Sequence, residues 1–244
     1  MCSSDLKNPM EYVVPTYVAN MVTLIARLNV PSIEWLGTSM GGIIGMALAA
    51  QPGTPITKLI LNDCGPLITA ASLERIGQYV GITPILPSLE VATAAVKSVS
   101  LPFGPHTDAE WRFLTEHLMK PTPDGRWAFR YDPAIAQAFK AEQPYRDVDL
   151  WPFYEQIRCP TLVLHGAESD LLTQDTAQAM TQRGPKAKLV DFPGVGHAPT
   201  LIHEDQIAVV KGFLLDEGAL SDNAVLFGGR SEEHTSELQS RLHL

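Results

Sequence analysis

The stretch WLGTSMGG, Trp35 to Gly42, sets a serine two residues from a glycine on either side and adds a second glycine after it. A serine hydroxyl is a poor nucleophile until a base takes its proton, and it must stand clear of the backbone to reach a carbonyl carbon. The pattern Gly37-Thr38-Ser39-Met40-Gly41 suits a tight turn from strand to helix that exposes the Ser39 Oγ. Such a turn crowds the positions two before and two after the serine, which favours glycine at both. It also aims the Met40 N–H, at the positive end of the following helix, at an oxyanion developing on the substrate.

A nucleophilic serine needs a histidine and a carboxylate, and after a turn of this kind they follow in the order serine, acid, histidine. The apolar run TLVLHG leads into Ala167-Glu168-Ser169-Asp170, and KLVDFP leads into Gly194-Val195-Gly196-His197. The second is a glycine loop ending in an imidazole, so His197 is the expected base. Asp170 is the expected acid, orienting the imidazole and stabilising its charged form. Glu168 and Asp63 are the alternatives; Asp63 closes the run LNDCGP, where it can also serve as a turn residue holding backbone amides. His203 falls where a helix begins and reads as its cap, and His165 as a structural residue at a strand end.

These residues must be positioned by alternating strands and helices. Thr16–Leu28 carries Val18, Met21, Val22, Ile25 and Leu28 at helical spacing. Ile33–Leu36 reads as a strand, Gly41–Ala50 as a helix stopped by Pro52 and Gly53, and Lys58–Asn62 as a buried strand. After a proline-punctuated stretch with helical pieces at Val91–Val99 and Ala109–Met119 and no convincing strand, the alternation resumes. Thr161–His165 and Lys188–Phe192 read as strands, Thr173–Gln182 and Asp205–Leu215 as helices. This order predicts an α/β fold with a mostly parallel sheet flanked by helices. The core is expected over 7–65 and 156–229, with a helical lid over 66–155.

With the elbow GxSMGG and the later GxGH in this order, the chain resembles the α/β-hydrolase family, in its lidded serine-hydrolase branch. The resemblance implies a hydrolase of carboxylic esters or similar small acyl compounds, using Ser39, Asp170 and His197 with an acyl-enzyme intermediate and no cofactor. A carbon–carbon bond hydrolase, a lactonase, or a non-catalytic ligand-binding relative remain open on the same residues. The fold resembled has its serine elbow after the fifth of eight strands, whereas here that strand is the first visible. The resemblance therefore implies an N-terminally truncated piece of an active parent, itself inactive. It lacks four strands and the loop giving a second oxyanion donor, and Ile33–Leu36 is left as an apolar edge.

The two ends sharpen that expectation. Arg230–Ser240, RSEEHTSELQS, reads as a translation of a common sequencing adapter, and MCSSDL resembles the same adapter in the opposite sense. Residues 1–6 and 230–244 are accordingly set apart from fold reasoning. The net charge of −9 and the absence of any Lys/Arg cluster argue against nucleic acid. A 45% hydrophobic share suits one domain with a sizeable core. Cys64 and Cys159 lack metal-ligand spacing and read as reduced thiols, and no His and carboxylate cluster suggests a metal. No apolar run reaches the length of a membrane span. The expected partner is a small acyl substrate, and the expected location the cytoplasm; oligomeric state is not legible.

Overall fold

A computed structural model describes residues 8–215. The adapter-like ends, and residues 7 and 216–229 of the expected core, lie outside the described residues. Helix α1 (Val14–Leu28) leads into β1 (Ile33–Thr38), α2 (Met40–Ala49) and β2 (Ile56–Asn62). The long segment that follows holds β3 (Leu67–Ile68), α3 (Ala70–Tyr79), α4 (Leu89–Val99), a 3-10 turn at Leu101–Phe103, α5 (Asp108–Leu118), β4 (Met119–Pro121), β5 (Trp127–Phe129), α6 (Ile135–Ala141), β6 (Val148–Asp149) and α7 (Trp151–Tyr154). Then come β7 (Thr161–Gly166), α8 (Gln174–Met180), β8 (Lys188–Phe192) and α9 (Glu204–Leu214).

The main sheet has the order β1-β2-β7-β8 with every pair parallel. Parallel strands covered on both faces should be apolar throughout rather than alternating. The inner pair obeys: Leu59, Ile60, Leu61, Leu162, Val163 and Leu164 are all fully buried. Successive side chains point to opposite faces, so Leu59, Leu61 and Val163 join α1, α2, Tyr154 and Met180 on one side. Ile60, Leu162 and Leu164 meet Phe192, Val195 and Phe213 on the other. Each such side chain contributes about 1.5–3 kcal/mol relative to exposure.

Strand β1 differs. Within the described residues it pairs with β2 alone, and Leu36 stays 39% exposed on it. The α1 stripe is narrower than its spacing predicts, because Val18, Met21 and Ile25 pack on the core while Val22 and Leu28 face outward. The proline-rich segment also holds more strand than its sequence suggests. Two short antiparallel ladders, β3–β6 and β4–β5, brace its helices. Ladders of two or three residues leave no readable periodicity. Where the sequence is legible, caps are what mark the helix starts: Thr107 and Glu110 form a reciprocal capping box at α5, and Ser88 caps α4.

Candidate active site

All the chemistry gathers at the C-terminal edge of the parallel sheet, where strands hand over to loops. Ser39 sits between β1 and α2 with φ +51° and ψ −121°, a conformation a non-glycine residue adopts only when its surroundings impose it. Its N–H donates to the Asn62 carbonyl at 3.1 Å, and its carbonyl accepts from Gly42 N at 2.9 Å. The turn brings backbone so close that a Cβ on Gly37 would collide with the Gly41 carbonyl. On the far side the crowded glycine is not Gly41, which has open space, but Gly42, whose added Cβ would collide with Cys64 Sγ. Met40 is the first residue of α2, so its N–H has no acceptor within the helix.

His197 Nε2 lies 3.1 Å from Ser39 Oγ, and Nδ1 lies 2.7 Å from Asp63 Oδ2. Asp63 is fully buried directly after β2, in the left-handed region at φ +52°, which a short polar side chain tolerates. Its other oxygen, Oδ1, accepts the Gly166 N–H at 2.9 Å, and Oδ2 also accepts the Ser169 hydroxyl at 2.6 Å. With the carboxylate ionised, Nδ1–H donates to it and Nε2 is left to accept the Ser39 proton. The half-buried Ser39 remains reachable from solvent.

The expected acid is corrected by these positions. Asp170 does not meet His197. Its carboxylate turns outward to Arg75, with Nη2 to Oδ1 at 2.9 Å and Nε to Oδ2 at 2.6 Å. Glu168 is exposed, and its backbone N–H binds the Val195 carbonyl. The reason is local: the chain turns sharply after Gly166, which puts Ser169 inward and leaves its neighbours outside. Asp63 is the alternative that the structure brings to the imidazole.

Other sequence readings fare unevenly. His165 is fully buried, with Nδ1 2.7 Å from Asp191 Oδ1 and Nε2 2.9 Å from the Leu172 carbonyl. His203 occupies the cap position of α9 but makes no capping bond. It stacks on His106 and approaches Glu110 at 3.6 Å. Cys64 and Cys159 are free thiols. Burial, and then the charge of Asp63, push the Cys64 thiol far above its ordinary value, so it stays protonated beside the site. Two further residues join the site. Asn62 is fully buried and donates through Nδ2 to Thr38 Oγ1 and to the Pro199 carbonyl, both at 2.9 Å, tying the serine turn to the histidine loop. Ser169 reaches Asp63. Neither matches a motif; a polar residue closing an apolar strand was the only signal for Asn62.

The histidine loop is held from the proline-rich segment as well. Gly196 N–H donates to the Pro102 carbonyl at 2.6 Å, and His106 Nε2 lies 2.9 Å from Thr200 Oγ1. Among the described residues no group of three or more His, Cys, Asp and Glu side chains could hold a metal ion, and no helix is long and apolar enough to cross a membrane.

A parallel sheet whose strand ends carry an elbow serine and a histidine in hydrogen-bond reach defines a class, and the chain belongs to it: residues 16–211 match the Alpha/beta hydrolase family. Among particular proteins, it is 44% identical over 209 residues to a 3-hydroxybutyrate-oligomer hydrolase of Cupriavidus necator, covering 83% of this chain and 71% of that one. It is 23% identical to a pimeloyl-[acyl-carrier protein] methyl ester esterase of Pectobacterium atrosepticum, over 78% of this chain and 73% of that one. A solved α/β hydrolase from Novosphingobium aromaticivorans superposes with a TM-score of 0.80 at 35% identity, covering 88% of this chain and 76% of that one. The protein is therefore an α/β hydrolase with esterase-like relatives.

Proposed function

We propose, against the inactivity expected of a truncated piece, that the protein hydrolyses carboxylic esters through Ser39, His197 and Asp63, and that its substrates are short esters of hydroxyacyl units. The observation that carries the reading is the unbroken set of bonds from Ser39 Oγ through the imidazole to a buried carboxylate. Ser39 Oγ attacks the ester carbonyl as His197 Nε2 takes its proton. The oxyanion that forms is met by the Met40 N–H. The C–O bond to the alcohol breaks, and His197 returns the proton to the leaving oxygen. Water, deprotonated by the same nitrogen, then releases the acid and restores the serine. Asp63 holds the ring in the required tautomer and balances its transient charge.

The substrate class draws on the relative that acts, by its name, on oligomers of 3-hydroxybutyrate. The segment 66–155 serves as the lid in this reading. Its hold on the histidine loop through Pro102 and His106 supports that role. Among the described residues β1 pairs on one side alone, which supports the further reading that additional strands complete the sheet there and bring a second oxyanion donor. Intact-mass analysis after treatment with a fluorophosphonate tests the nucleophile. One adduct is expected on the wild-type chain and none on Ser39→Ala. Equal labelling of both would overturn the assignment.

A further inference from the structure

We infer that Ser169 is a positioning residue for the acid, fixing the orientation and the charge that Asp63 presents to His197; this rests on the reading of Ser39, His197 and Asp63 given above. A carboxylate with no solvent exposure must have its charge answered by donors. Asp63 has three: the Gly166 N–H on Oδ1, and His197 Nδ1 and the Ser169 hydroxyl on Oδ2. The serine therefore shares one oxygen with the imidazole, so what it does to that oxygen is felt by His197 directly.

The direction of the Ser169 bond is fixed by its other partners. A hydroxyl has one proton and two lone pairs. Ser169 Oγ accepts the backbone N–H groups of Leu171 and Leu172, each at 3.2 Å, which occupies both lone pairs. Its single proton is left for Asp63 Oδ2 at 2.6 Å. The hydroxyl is thus not a free rotor that could equally accept from a protonated acid. It is a dedicated donor to Asp63, and it opposes rotation about the Cβ–Cγ bond of that carboxylate.

The loop that carries the serine is itself anchored. The Leu172 carbonyl lies 2.9 Å from Nε2 of the buried His165, whose Nδ1 is bonded to Asp191 on β8. The same residue thus ties its N–H to Ser169 and its carbonyl to the sheet. Parallel pairing of β2 with β7 sets Asn62 beside Leu164, and the Asp63 N–H donates to the Leu164 carbonyl at 2.7 Å, so acid and serine loop share one frame. The loop expected to supply the acid supplies instead the hydroxyl that orients it.

The test measures the His197 titration by NMR on the full chain, together with the pH dependence of fluorophosphonate labelling at Ser39. With the Ser169 donor gone, Oδ2 directs its charge at Nδ1 undiluted, which favours the imidazolium. In Ser169→Ala the His197 midpoint should rise by roughly half a unit, so labelling is lost at a higher pH on acidification. The plateau labelling rate should fall about tenfold, because the carboxylate gains rotational freedom. Ser169→Thr, which keeps the hydroxyl, should restore both. In a Asp63→Asn background Ser169→Ala should add nothing, since a positioning residue has nothing left to position. Should Ser169→Ala fail to fold, Ser169→Cys keeps an acceptor for the two amides with only a weak donor, and is expected to move both readings the same way.

A wild-type midpoint and rate in a folded Ser169→Ala or Ser169→Cys, or an equal loss with and without Asp63, would overturn the inference and leave the triad standing. If Asp63→Asn itself changes neither the His197 titration nor labelling, the triad reading falls and the inference with it.

Discussion

Two aspartates stand at the same edge of the same sheet, one after β2 and one after β7, and they have opposite environments. Asp63 is fully buried and its carboxylate receives three donors, while the Asp170 side chain is 58% exposed and paired with a partly exposed Arg75. A charge in water costs nothing to keep and gains little from a partner. A charge out of water is expensive, and it persists only where the site answers it in full. In such a site the carboxylate that meets the imidazole is marked by what its burial demands, not by how far along the chain it falls.

The widest separation between the two is expected in catalysis. Asp63→Asn keeps the shape and tolerates the left-handed backbone, but it stops favouring the tautomer that leaves Nε2 free. Ester turnover should fall on the order of 10⁴-fold, read as kcat on a short-chain ester. Asp170→Asn should leave turnover within about twofold of wild type. A loss in Asp170→Asn comparable to that in Asp63→Asn would break the comparison outright.

Pressure on the seat of Asp63 from beneath should have a middling effect. A methyl on Gly42 would collide with Cys64 Sγ, and Cys64 is the next residue after the acid. Gly42→Ala is therefore expected to destabilise by about 1–3 kcal/mol in urea unfolding. Gly41→Ala, with open space around its Cβ, should be neutral or slightly stabilising. Equal behaviour of the two would contradict the packing described under the turn. The smallest effect belongs to the outward acid: removing the Arg75–Asp170 pair should change stability by no more than about 1 kcal/mol, and less in high salt.

Much of this protein was legible beforehand, and unevenly so. The four main strands were read within a few residues, since burial on both faces demands short continuous apolar runs such as KLILN and TLVLHG. Ser39 and His197 were legible because a tight turn and a glycine loop need particular residues within a few positions of one another. The ladders β3–β6 and β4–β5 were not, because each is too short to impose a period. Along the chain Asp63 stands only as an alternative acid, and Ser169 carries no signal of its own, since a serine between two acids in Glu168-Ser169-Asp170 looks like an ordinary loop residue.

The class of fold, and Ser39 and His197 as candidates, could be read along the chain, for these depend on local geometry: alternating apolar runs, a tight turn, a glycine loop ending in an imidazole. Which carboxylate the imidazole meets is set by tertiary packing alone. Register between β2 and β7 places the loop after one strand against the loop after the other. Of the acids gathered there, the one inside is the one that has amide, hydroxyl and imidazole donors within 3 Å. Contacts of that kind join residues about a hundred positions apart, and no spacing along the chain records them.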